Sequence, residues 1–293
     1  MSKARVFVIG ASGNCGKPTV NALSKNYGEK LDIVAGVRKP ENVPEFQSLR
    51  GVTVVRAEMG KRDELVGIFK DVDVLFIIVP RSHARAEIAC ATAEAAKLAG
   101  VKHIMTVSTG VAVGPDKIIG KQFHDIENAI SNLGPDYTIL RLPYFMENFG
   151  YFRETIQKSS VFYDAIDPSK RFPVICVEDV AAVASVIMSS PEKHAGKTYN
   201  MVSDRCCYND MVKTFRKVIG KDIKYIQQSY EEVRAAMFQL GLPEWNVNGG
   251  LEFTKEANAG EHEKGDDDDI KAITGEQPTN IEAWFQRHAS MFK

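Results

Sequence analysis

The sequence lacks any apolar run long enough to cross a bilayer. Its longest apolar stretch, VDVLFIIVP from Val72 to Pro80, is far shorter than the roughly 20 residues of a membrane-spanning helix, and it contains Asp73. The first predicted strand is reached by Arg5, which leaves no room for the apolar segment and cleavage site of a signal peptide. We therefore expect a cytoplasmic protein that does not associate with membranes.

The sequence also lacks an excess of charge of either sign. It contains 37 Lys and Arg against 38 Asp and Glu, for a formal net charge of -1, and neither end carries a polybasic tail. Binding to a nucleic-acid backbone needs a positive field. Direct nucleic-acid binding is therefore not expected, whereas the 44% hydrophobic content is ordinary for a globular protein.

Cysteine is scarce, and its spacing excludes two further classes. The five cysteines are odd in number and show no CxxC spacing, so we predict reduced thiols and neither a disulfide framework nor a zinc site. Cys206 and Cys207 are adjacent and could form a strained disulfide, although a buried or loop position is favoured because Arg205 is the only basic neighbour.

Two polar segments late in the sequence contain possible metal ligands. Glu261-His262-Glu263 lacks HExxH spacing and is interpreted as a polar loop. The acidic run Asp266 to Asp269 is interpreted as a solvated loop or the start of a short helix, with a calcium site as the alternative. We therefore predict no metal ion.

What the sequence does contain is a regular alternation of short apolar runs and helical patterns through its first half. The predicted strands are Val6–Ile9, Ile33–Val37, Val52–Val55, Val74–Val79, His103–Val107 and Tyr137–Leu140. The predicted helices between them are Pro18–Asn26, Asp63–Phe69, Ala84–Ala99 and Gln122–Asn132. Apolar strands separated by crossover helices are typical of a parallel sheet covered on both faces. We therefore predict a doubly wound α/β fold of the Rossmann type.

Beyond about Gly150 the alternation weakens and the pattern becomes mainly helical. We predict a Rossmann domain over 1–150, with a later contribution from about 176–202, and a smaller lobe over 151–293. The predicted elements here are a helix at Val180–Met188, a strand at Thr198–Val202, and helices at Asn209–Ile219 and Glu231–Leu240. Thr279 and Glu282 form a T-x-x-E capping box that opens a last helix.

Three glycines follow the first predicted strand in "VFVIGASGNCGKPTVNAL" and precede the first helix. A helix N-terminus offers free N–H donors and a positive dipole end to a phosphate group. Gly10 would permit the tight turn, Gly13 would let the backbone approach a pyrophosphate, and Gly16 would let the helix pack closely on the strand. The spacing is GxxGxxG, and it predicts a dinucleotide site, with a purely structural turn as the alternative.

The end of the second predicted strand indicates which dinucleotide is bound. An NAD site places a carboxylate there to bind the ribose hydroxyls. This strand ends instead in Arg38 and Lys39, which can hold a 2′-phosphate through a planar guanidinium and a second positive charge. NADP(H) is therefore predicted over NAD, with an unspecialised surface pair as the alternative.

These segments resemble the NmrA-like family of atypical short-chain dehydrogenases/reductases. The resemblance follows "GASGNCG", "AGVRKP", "DVLFIIVP", "VKHIMTVST" and "YTILRLPYFMENF" in order, and extends through "VEDVAAVASVIM", "GKTYNMVS" and "ITGEQPTNIEAWFQRH". It implies an NADP(H)-binding Rossmann lobe, a small C-terminal lobe and a cleft between them. The segment from Ser229 to Gly260 would line the entrance of that cleft.

The resemblance also implies roles for individual residues. Ser12, Gly13, Asn14 and Cys15 would lie along the pyrophosphate, and Arg38 and Lys39 would face the 2′-phosphate. Glu58 and Met59 would lie beside adenine, and Val79 and Pro80 near the adenosine half. Ser108, Pro143, Tyr144 and Phe145 would approach the nicotinamide.

Catalytic residues are harder to identify, because the YxxxK pair of short-chain dehydrogenases is absent after Ser108. Some relatives carry Lys or His at the position that is Phe123 here. Lys121 and His124 share a helix face at i and i+3, and His124 could donate a proton or could simply pack near the helix start. Tyr144 could bind substrate or merely line the cleft. The predicted catalytic candidates are therefore His124, Lys121, Tyr144 and Ser108.

Two functions remain open at this point. One is an NADPH-dependent reductase of a small aromatic, quinone or enone acceptor, for which aromatic side chains such as Tyr144, Phe145 and Phe253 are available. The other is a non-catalytic NADP(H)-sensing protein that acts through a regulatory protein partner, which the missing YxxxK pair favours. The sequence gives no indication of the oligomeric state.

Overall fold

The computed structural model describes residues 3–110, 116–262 and 268–293. The strands in this part of the chain are β1 (Ala4–Ile9), β2 (Leu31–Val37), β3 (Val52–Arg56), β4 (Val74–Ile77), β5 (His103–Thr109), β6 (Asp136–Leu142), β7 (Tyr144–Phe145), β8 (Val161–Asp164), β9 (Phe172–Ile175), β10 (Lys197–Asn200), β11 (Asp204–Cys206) and β12 (Lys224–Gln227). The helices are α1 (Gly16–Tyr27), α2 (Arg62–Ile68), α3 (Arg85–Ala99), α4 (Ile118–Ser131), α5 (Arg153–Ser159), α6 (Val177–Ser189), α7 (Tyr208–Ile219), α8 (Tyr230–Gln239), α9 (Glu244–Ala259), α10 (Asp269–Thr274) and α11 (Ile281–His288). Short 3-10 segments lie at Pro40–Asn42, Pro44–Ser48, Met146–Phe152, Pro191–His194 and Ala289–Met291.

Seven parallel strands form the main sheet in the order β10-β6-β5-β4-β1-β2-β3. The strand order reverses between β1 and β4, which is where a doubly wound sheet opens a crevice at the carboxyl ends of its strands. The predicted Rossmann fold is confirmed, and β10 extends the sheet beyond β6.

Helices cover both faces of this sheet because alternate residues of each strand point to opposite sides. Val6 and Val8 of β1 pack with α1 and α6, whereas Phe7 and Ile9 pack with α2, α3 and α4. All four side chains are at most 1% exposed. Burial on both faces explains why the strands are apolar throughout and show no polar alternation.

The C-terminal region has a core of its own, dominated by aromatic side chains. Trp284 and Phe285 of α11 are fully buried against Phe215 of α7, with the rings of Phe215 and Phe285 centred 4.2 Å apart. Two small sheets, β11-β9-β7 and β12-β8, complete this region. The sequence predicted α7, α8 and α11 in this region but neither α5 nor α9. It also did not include these strands, which are only two to four residues long.

The start of α11 differs from the sequence prediction. The helix itself is confirmed, but its N-cap is Asn280, whose side chain accepts a hydrogen bond from the Ala283 amide at 2.8 Å. Thr279, the predicted cap, donates its hydroxyl to Asp179 at 3.0 Å instead. A carboxylate from α6 competes for this threonine, and the predicted capping box is therefore wrong. The box is found at α8, between Ser229 and Glu232.

Two further helices differ from the sequence prediction, one in its start and one in not being predicted at all. α4 begins at Ile118, four residues before the predicted start, and α9 was not predicted because its Asn-Gly-Gly segment is typical of a turn. In the fold, Val247, Leu251 and Thr254 of α9 are buried at helical spacing, so tertiary packing overrides the local preference. Within the described residues, no helix combines the length and apolar character needed to cross a bilayer.

Candidate functional site

The glycine loop between β1 and α1 lies where the strand order of the sheet reverses. In this loop, backbone segments pass very close to one another. Gly10 has φ +84°, and a Cβ on it would lie 2.7 Å from the carbonyl oxygen of Ile78. A Cβ on Gly16 would lie 2.3 Å from the oxygen of Gly10, whereas one on Gly13 would meet only that same oxygen at 3.3 Å. Gly10 and Gly16 therefore serve the fold, and Gly13 leaves open space on the outer side of the loop.

Free backbone donors surround that open space. In the described part of the chain, the amides of Ser12, Asn14, Cys15 and Gly16 donate to no backbone or side-chain acceptor. Ser12, Gly13 and Asn14 are exposed. Unpaired amides at a helix N-terminus are the donor set that binds a pyrophosphate, so the residues present fit a dinucleotide.

The other predicted cofactor residues lie at the carboxyl ends of the neighbouring strands. Arg38 and Lys39 follow β2, are exposed, and make no ion pair with any described residue. Glu58 and Met59 follow β3, and Val79 and Pro80 follow β4. The Met59 methyl would lie 3.3 Å from a Cβ on Gly10, so this residue reaches the glycine loop. The binding roles of these residues stay predictions.

A cavity of about 320 Å³ opens beyond the ends of β5 and β6. Its aromatic part consists of Tyr144, Phe145 and Phe253, and the rings of Tyr144 and Phe253 stack with their centres 5.7 Å apart at an interplanar angle of 16°. Gly249 and Gly250 of α9 also line it. Flat aromatic walls with a few polar groups are typical of a site for a small planar molecule.

Tyr144 has the hydroxyl best placed to meet such a molecule. It lines the cavity, and among the described residues its hydroxyl has no hydrogen-bond partner. Burial raises the pKa of Tyr144 well above its usual value, and nearby Asp164 adds to the effect. The hydroxyl therefore stays protonated and can donate a hydrogen bond.

Asp164 reaches the same cavity but is already satisfied by protein groups. Its side chain accepts hydrogen bonds from the Tyr208 hydroxyl and from the Ala165 amide. Burial raises the pKa of this carboxyl, and the hydrogen bond from Tyr208 works in the opposite direction. We interpret Asp164 as a structural anchor for the aromatic side of the cavity.

A second polar group in the cavity wall joins Lys117, just before α4, to Glu256 in α9 and His262 just after α9. One carboxylate oxygen of Glu256 lies 2.9 Å from Nζ of Lys117, and the other lies 3.0 Å from Nε2 of His262. The Glu256 residue is only 5% exposed. The His262 ring also stacks on Phe253, with centres 5.4 Å apart.

Ser108, at the end of β5, belongs to a buried polar network. Its hydroxyl donates to Glu127 of α4 at 2.6 Å, and the same carboxylate receives two hydrogen bonds from Arg141 of β6, at 2.9 and 2.6 Å. Ser108 is 2% exposed. This arrangement attaches α4 to the carboxyl ends of two strands, directly beside the cavity.

Comparison with known proteins identifies the family. The sequence model of the NmrA-like family matches residues 2–289. The chain belongs to the NmrA-like family. The resemblance seen in the sequence is therefore confirmed.

Relatives within and around this family include reductases and a regulator. The chain is 24% identical to an NAD(P)H azoreductase of Xenophilus azovorans, over 98% of this chain and 99% of that protein. A structure of an NADPH-dependent quinone oxidoreductase of Escherichia coli, complexed with NADPH, superimposes with a TM-score of 0.84 at 25% identity, covering 97% of this chain and 99% of that one. A structure of NmrA, a negative transcriptional regulator, in complex with NADP superimposes with a TM-score of 0.79 at 15% identity, covering 99% and 97%.

Among the predicted catalytic residues of this NmrA-like protein, only Tyr144 is found in the cavity wall. Lys121 pairs with Asp125 at 3.1 Å, and His124 lies 2.9 Å from the Asn128 side chain, so both are engaged along α4. Neither lines the cavity. Their catalytic roles stay predictions, as does that of Ser108.

Sequence reasoning missed Lys117, Glu256 and His262. Lys117 precedes a helix that was predicted to begin later, and Glu256 lies in the helix that was not predicted. His262 was considered only as a metal ligand beside Glu261 and Glu263, and Glu263 lies outside the described residues. The sequence contains no local pattern that predicts this group, because its residues come together only in the folded protein.

The cysteines are free in the structure, as predicted, and they are poorly suited to redox chemistry. Burial raises the pKa of Cys15 to about 12, so the thiol in the glycine loop stays protonated. Burial and the neighbouring Glu178 raise the pKa of Cys176 even further. Cys206 and Cys207 are both buried. Thiolate character is what makes a cysteine reactive, and burial suppresses it here.

Glu147, Cys176 and Glu178 bring three potential ligand atoms within 4.8 Å of one another. A guanidinium nitrogen of Arg287 lies 3.8 Å from the sulfur of Cys176. Glu147 meanwhile accepts a hydrogen bond from the Trp284 indole at 3.0 Å. A positive charge and an indole donor directed into the group oppose a cation, so we interpret it as a contact between α6 and α11.

Proposed function

We propose that this NmrA-like chain is an NADPH-dependent reductase of small aromatic acceptors, with quinones and enones as the preferred class. The observation that carries the proposal is the position of two sites at one sheet edge. Unpaired amides surround Gly13, and an aromatic cavity opens beyond β5 and β6. The reductases to which the chain is similar support this function.

The chain's own residues suit the binding of the cofactor. The amides of residues 12–16 would hold the pyrophosphate at the N-terminus of α1. Arg38 and Lys39 would hold the 2′-phosphate. When bound, reduced nicotinamide supplies a hydride to an acceptor held against it.

The cavity residues would bind and orient the acceptor. Tyr144 and Phe253 offer parallel rings on which a planar molecule can stack, and offset stacking contributes beyond the area that it buries. The protonated Tyr144 hydroxyl can donate to an acceptor oxygen. The surrounding apolar residues exclude water from the reacting atoms.

The test mixes purified protein with NADPH and a panel of quinones, enones and azo compounds, and follows the absorbance of the reduced nicotinamide. Wild type should oxidise NADPH only when an acceptor is present. The matched variant is Gly13→Val, which places a side chain where the pyrophosphate would lie. It should lose cofactor binding, measured by nicotinamide fluorescence, and turnover with it. Turnover that survives in Gly13→Val with unchanged NADPH affinity would overturn the proposal.

The second candidate is a non-catalytic NADP(H) sensor that acts through a regulatory protein partner. The absence of a YxxxK pair favours it. It predicts tight NADPH binding by wild type, weakened by Gly13→Val, with no oxidation of NADPH by any acceptor in the panel. A change in small-angle scattering between the NADPH-bound and the NADP-bound protein would then be expected.

A further inference from the structure

Lys117 is held at the cavity by a carboxylate that has little freedom to move. Its Nζ lies 2.9 Å from Glu256 in α9, and Glu256 is 5% exposed. The second oxygen of Glu256 is occupied by His262 at 3.0 Å. A buried carboxylate with both oxygens engaged is a fixed anchor for a lysine.

The histidine on the far side of Glu256 is itself fixed by packing. Its ring stacks on Phe253 at an interplanar angle of 21°, and Phe253 stacks in turn on Tyr144. Its backbone oxygen accepts a hydrogen bond from Arg205. A continuous set of contacts therefore runs from the Tyr144 ring through Phe253, His262 and Glu256 to Lys117.

Lys117 retains donors for a ligand. An ammonium group has three N–H donors, and among the described residues the only ion-pair or hydrogen-bond partner of the Lys117 ammonium is Glu256. The side chain is 39% exposed and lines the cavity. A hydrogen bond to Glu256 raises the pKa of Lys117, so the group remains a cation.

We propose that Lys117, positioned by Glu256 and His262, is the residue that binds the oxygen on which negative charge develops when a neutral carbonyl acceptor is reduced. This proposal rests on the reductase function proposed above. It assigns the site to acceptors whose reduction creates an oxyanion, such as quinones and enones. Groups already in place where charge develops stabilise it without reorganising.

The reaction balances with the reduced nicotinamide as the only reductant. A hydride leaves the nicotinamide ring and forms a bond to the conjugated acceptor, and an electron pair moves onto the carbonyl oxygen. The Lys117 ammonium and the Tyr144 hydroxyl donate hydrogen bonds to that oxygen. A proton from water then completes the reduced hydroxyl compound, and oxidised nicotinamide remains.

The assignment predicts discrimination between two kinds of acceptor. A neutral quinone or enone becomes anionic when it takes up a hydride and therefore needs Lys117. A cationic acceptor, such as a triarylmethyl dye, becomes neutral and gains nothing from a nearby ammonium. The lysine should thus matter for the first kind and not for the second.

Turnover measurements provide the first test. Lys117→Met should lower kcat with a neutral quinone by roughly 10- to 100-fold, at or below the lower end of the loss expected for an oxyanion-binding donor, because the side chain is 39% exposed. Turnover of a triarylmethyl dye should change less than about twofold. Lys117→Arg keeps the cation and should restore part of the quinone activity. Lys158→Met, which removes an exposed lysine paired with Glu154 in α5, is the matched control and should change neither.

Binding without cofactor provides the second test. The probe is 4-nitrophenol, whose phenolate absorbs visible light and carries the oxyanion sought. Wild type should bind the phenolate and shift the probe toward this form, and Lys117→Met should abolish the shift. Glu256→Gln should weaken it several-fold by releasing the lysine, and circular dichroism checks that this variant folds.

The outcomes separate this proposal from the reductase function. If wild type turns over both acceptors and Lys117→Met loses both equally, or loses neither, the assignment of Lys117 is overturned and the reductase remains. If wild type turns over neither acceptor, the proposed function fails. The phenolate shift then still decides whether Lys117 binds an oxyanion. An equal shift in Lys117→Met and wild type overturns this role of Lys117 as well.

Discussion

At the start of α1, the groups available to a ligand are backbone amides of neighbouring residues. In the cavity beyond β5 and β6, the available groups are side chains from different parts of the chain. The first region occupies a few consecutive positions around Gly13. The second combines Lys117, Tyr144, Glu256 and His262. The glycine loop at the start of α1 should tolerate few added side-chain atoms, because its backbone packs directly against backbone. The second should be sensitive to the chemistry of each side chain.

Gly16→Ala is expected to have the largest effect. It tests whether the close packing of backbone in the glycine loop leaves room for one added carbon atom. The added Cβ would lie 2.3 Å from the Gly10 oxygen, and no side-chain rotation can relieve this contact. We expect a loss of about 3 kcal/mol or more in the free energy of unfolding, measured by urea denaturation. Gly67→Ala in α2 is the control, because nothing lies within 4 Å of its Cβ, and it should be neutral or stabilising by about 0.5–1 kcal/mol. Equal effects of the two variants would refute the close crossing.

Glu127→Ala tests whether side chains hold the cavity edge. It leaves the Ser108 hydroxyl and the Arg141 guanidinium without their shared carboxylate, and both groups are largely buried. We expect a loss of about 2–3 kcal/mol in urea denaturation, since an uncompensated buried charge is costly. The comparison is Glu154→Ala, which breaks an exposed pair with Lys158 and should cost less than about 1 kcal/mol. Similar losses for the two variants would show that the Glu127 network stabilises the fold no more than an exposed ion pair does.

Arg38→Ala tests the side chain proposed to bind the 2′-phosphate, separately from the backbone donors of the glycine loop. The affinity for NADPH should fall about tenfold relative to NADH, equivalent to about 1.4 kcal/mol, because only NADPH carries the 2′-phosphate. Dissociation constants measured by fluorescence titration check this. Arg62→Ala removes an exposed arginine paired with Asp63 in α2 and should leave the ratio unchanged. An unaltered ratio in Arg38→Ala would rule out a role for this residue in cofactor choice.

Glu147→Gln is expected to have the smallest effect, and it concerns pH. Burial raises the pKa of Glu147, so the folded state holds its proton more tightly than the unfolded state. Stability from this residue is present at low pH and declines as pH rises from the ordinary carboxyl range toward the raised value. The variant should flatten this part of the stability–pH curve, measured by thermal denaturation across pH. Glu231→Gln, an exposed position in α8, should leave the curve unchanged. A slope in Glu147→Gln identical to that of wild type would contradict this account.

Much of the sheet region could be predicted, because its signals are local. Apolar runs such as Val6–Ile9 and Ile33–Val37 are long enough to identify buried strands, and Gly10 to Gly16 mark the turn that follows the first of them. Sequence reasoning also named Tyr144, Lys121 and His124 as catalytic candidates. The fold places Tyr144 in the cavity wall and engages Lys121 and His124 along α4. Helical spacing shows which residues share a face, but not which cavity that face meets.

The sequence by itself determined the parallel sheet, the glycine loop and the basic end of β2, because strand burial and backbone crossing depend on residues close together in the chain. Only the tertiary structure decided the composition of the cavity wall. Lys117, Glu256 and His262 come from segments separated by more than a hundred residues or by an irregular turn, and α9 forms a helix against its local preference. A salt bridge between distant segments has no periodicity to detect, because it exists only when packing brings the two charges together.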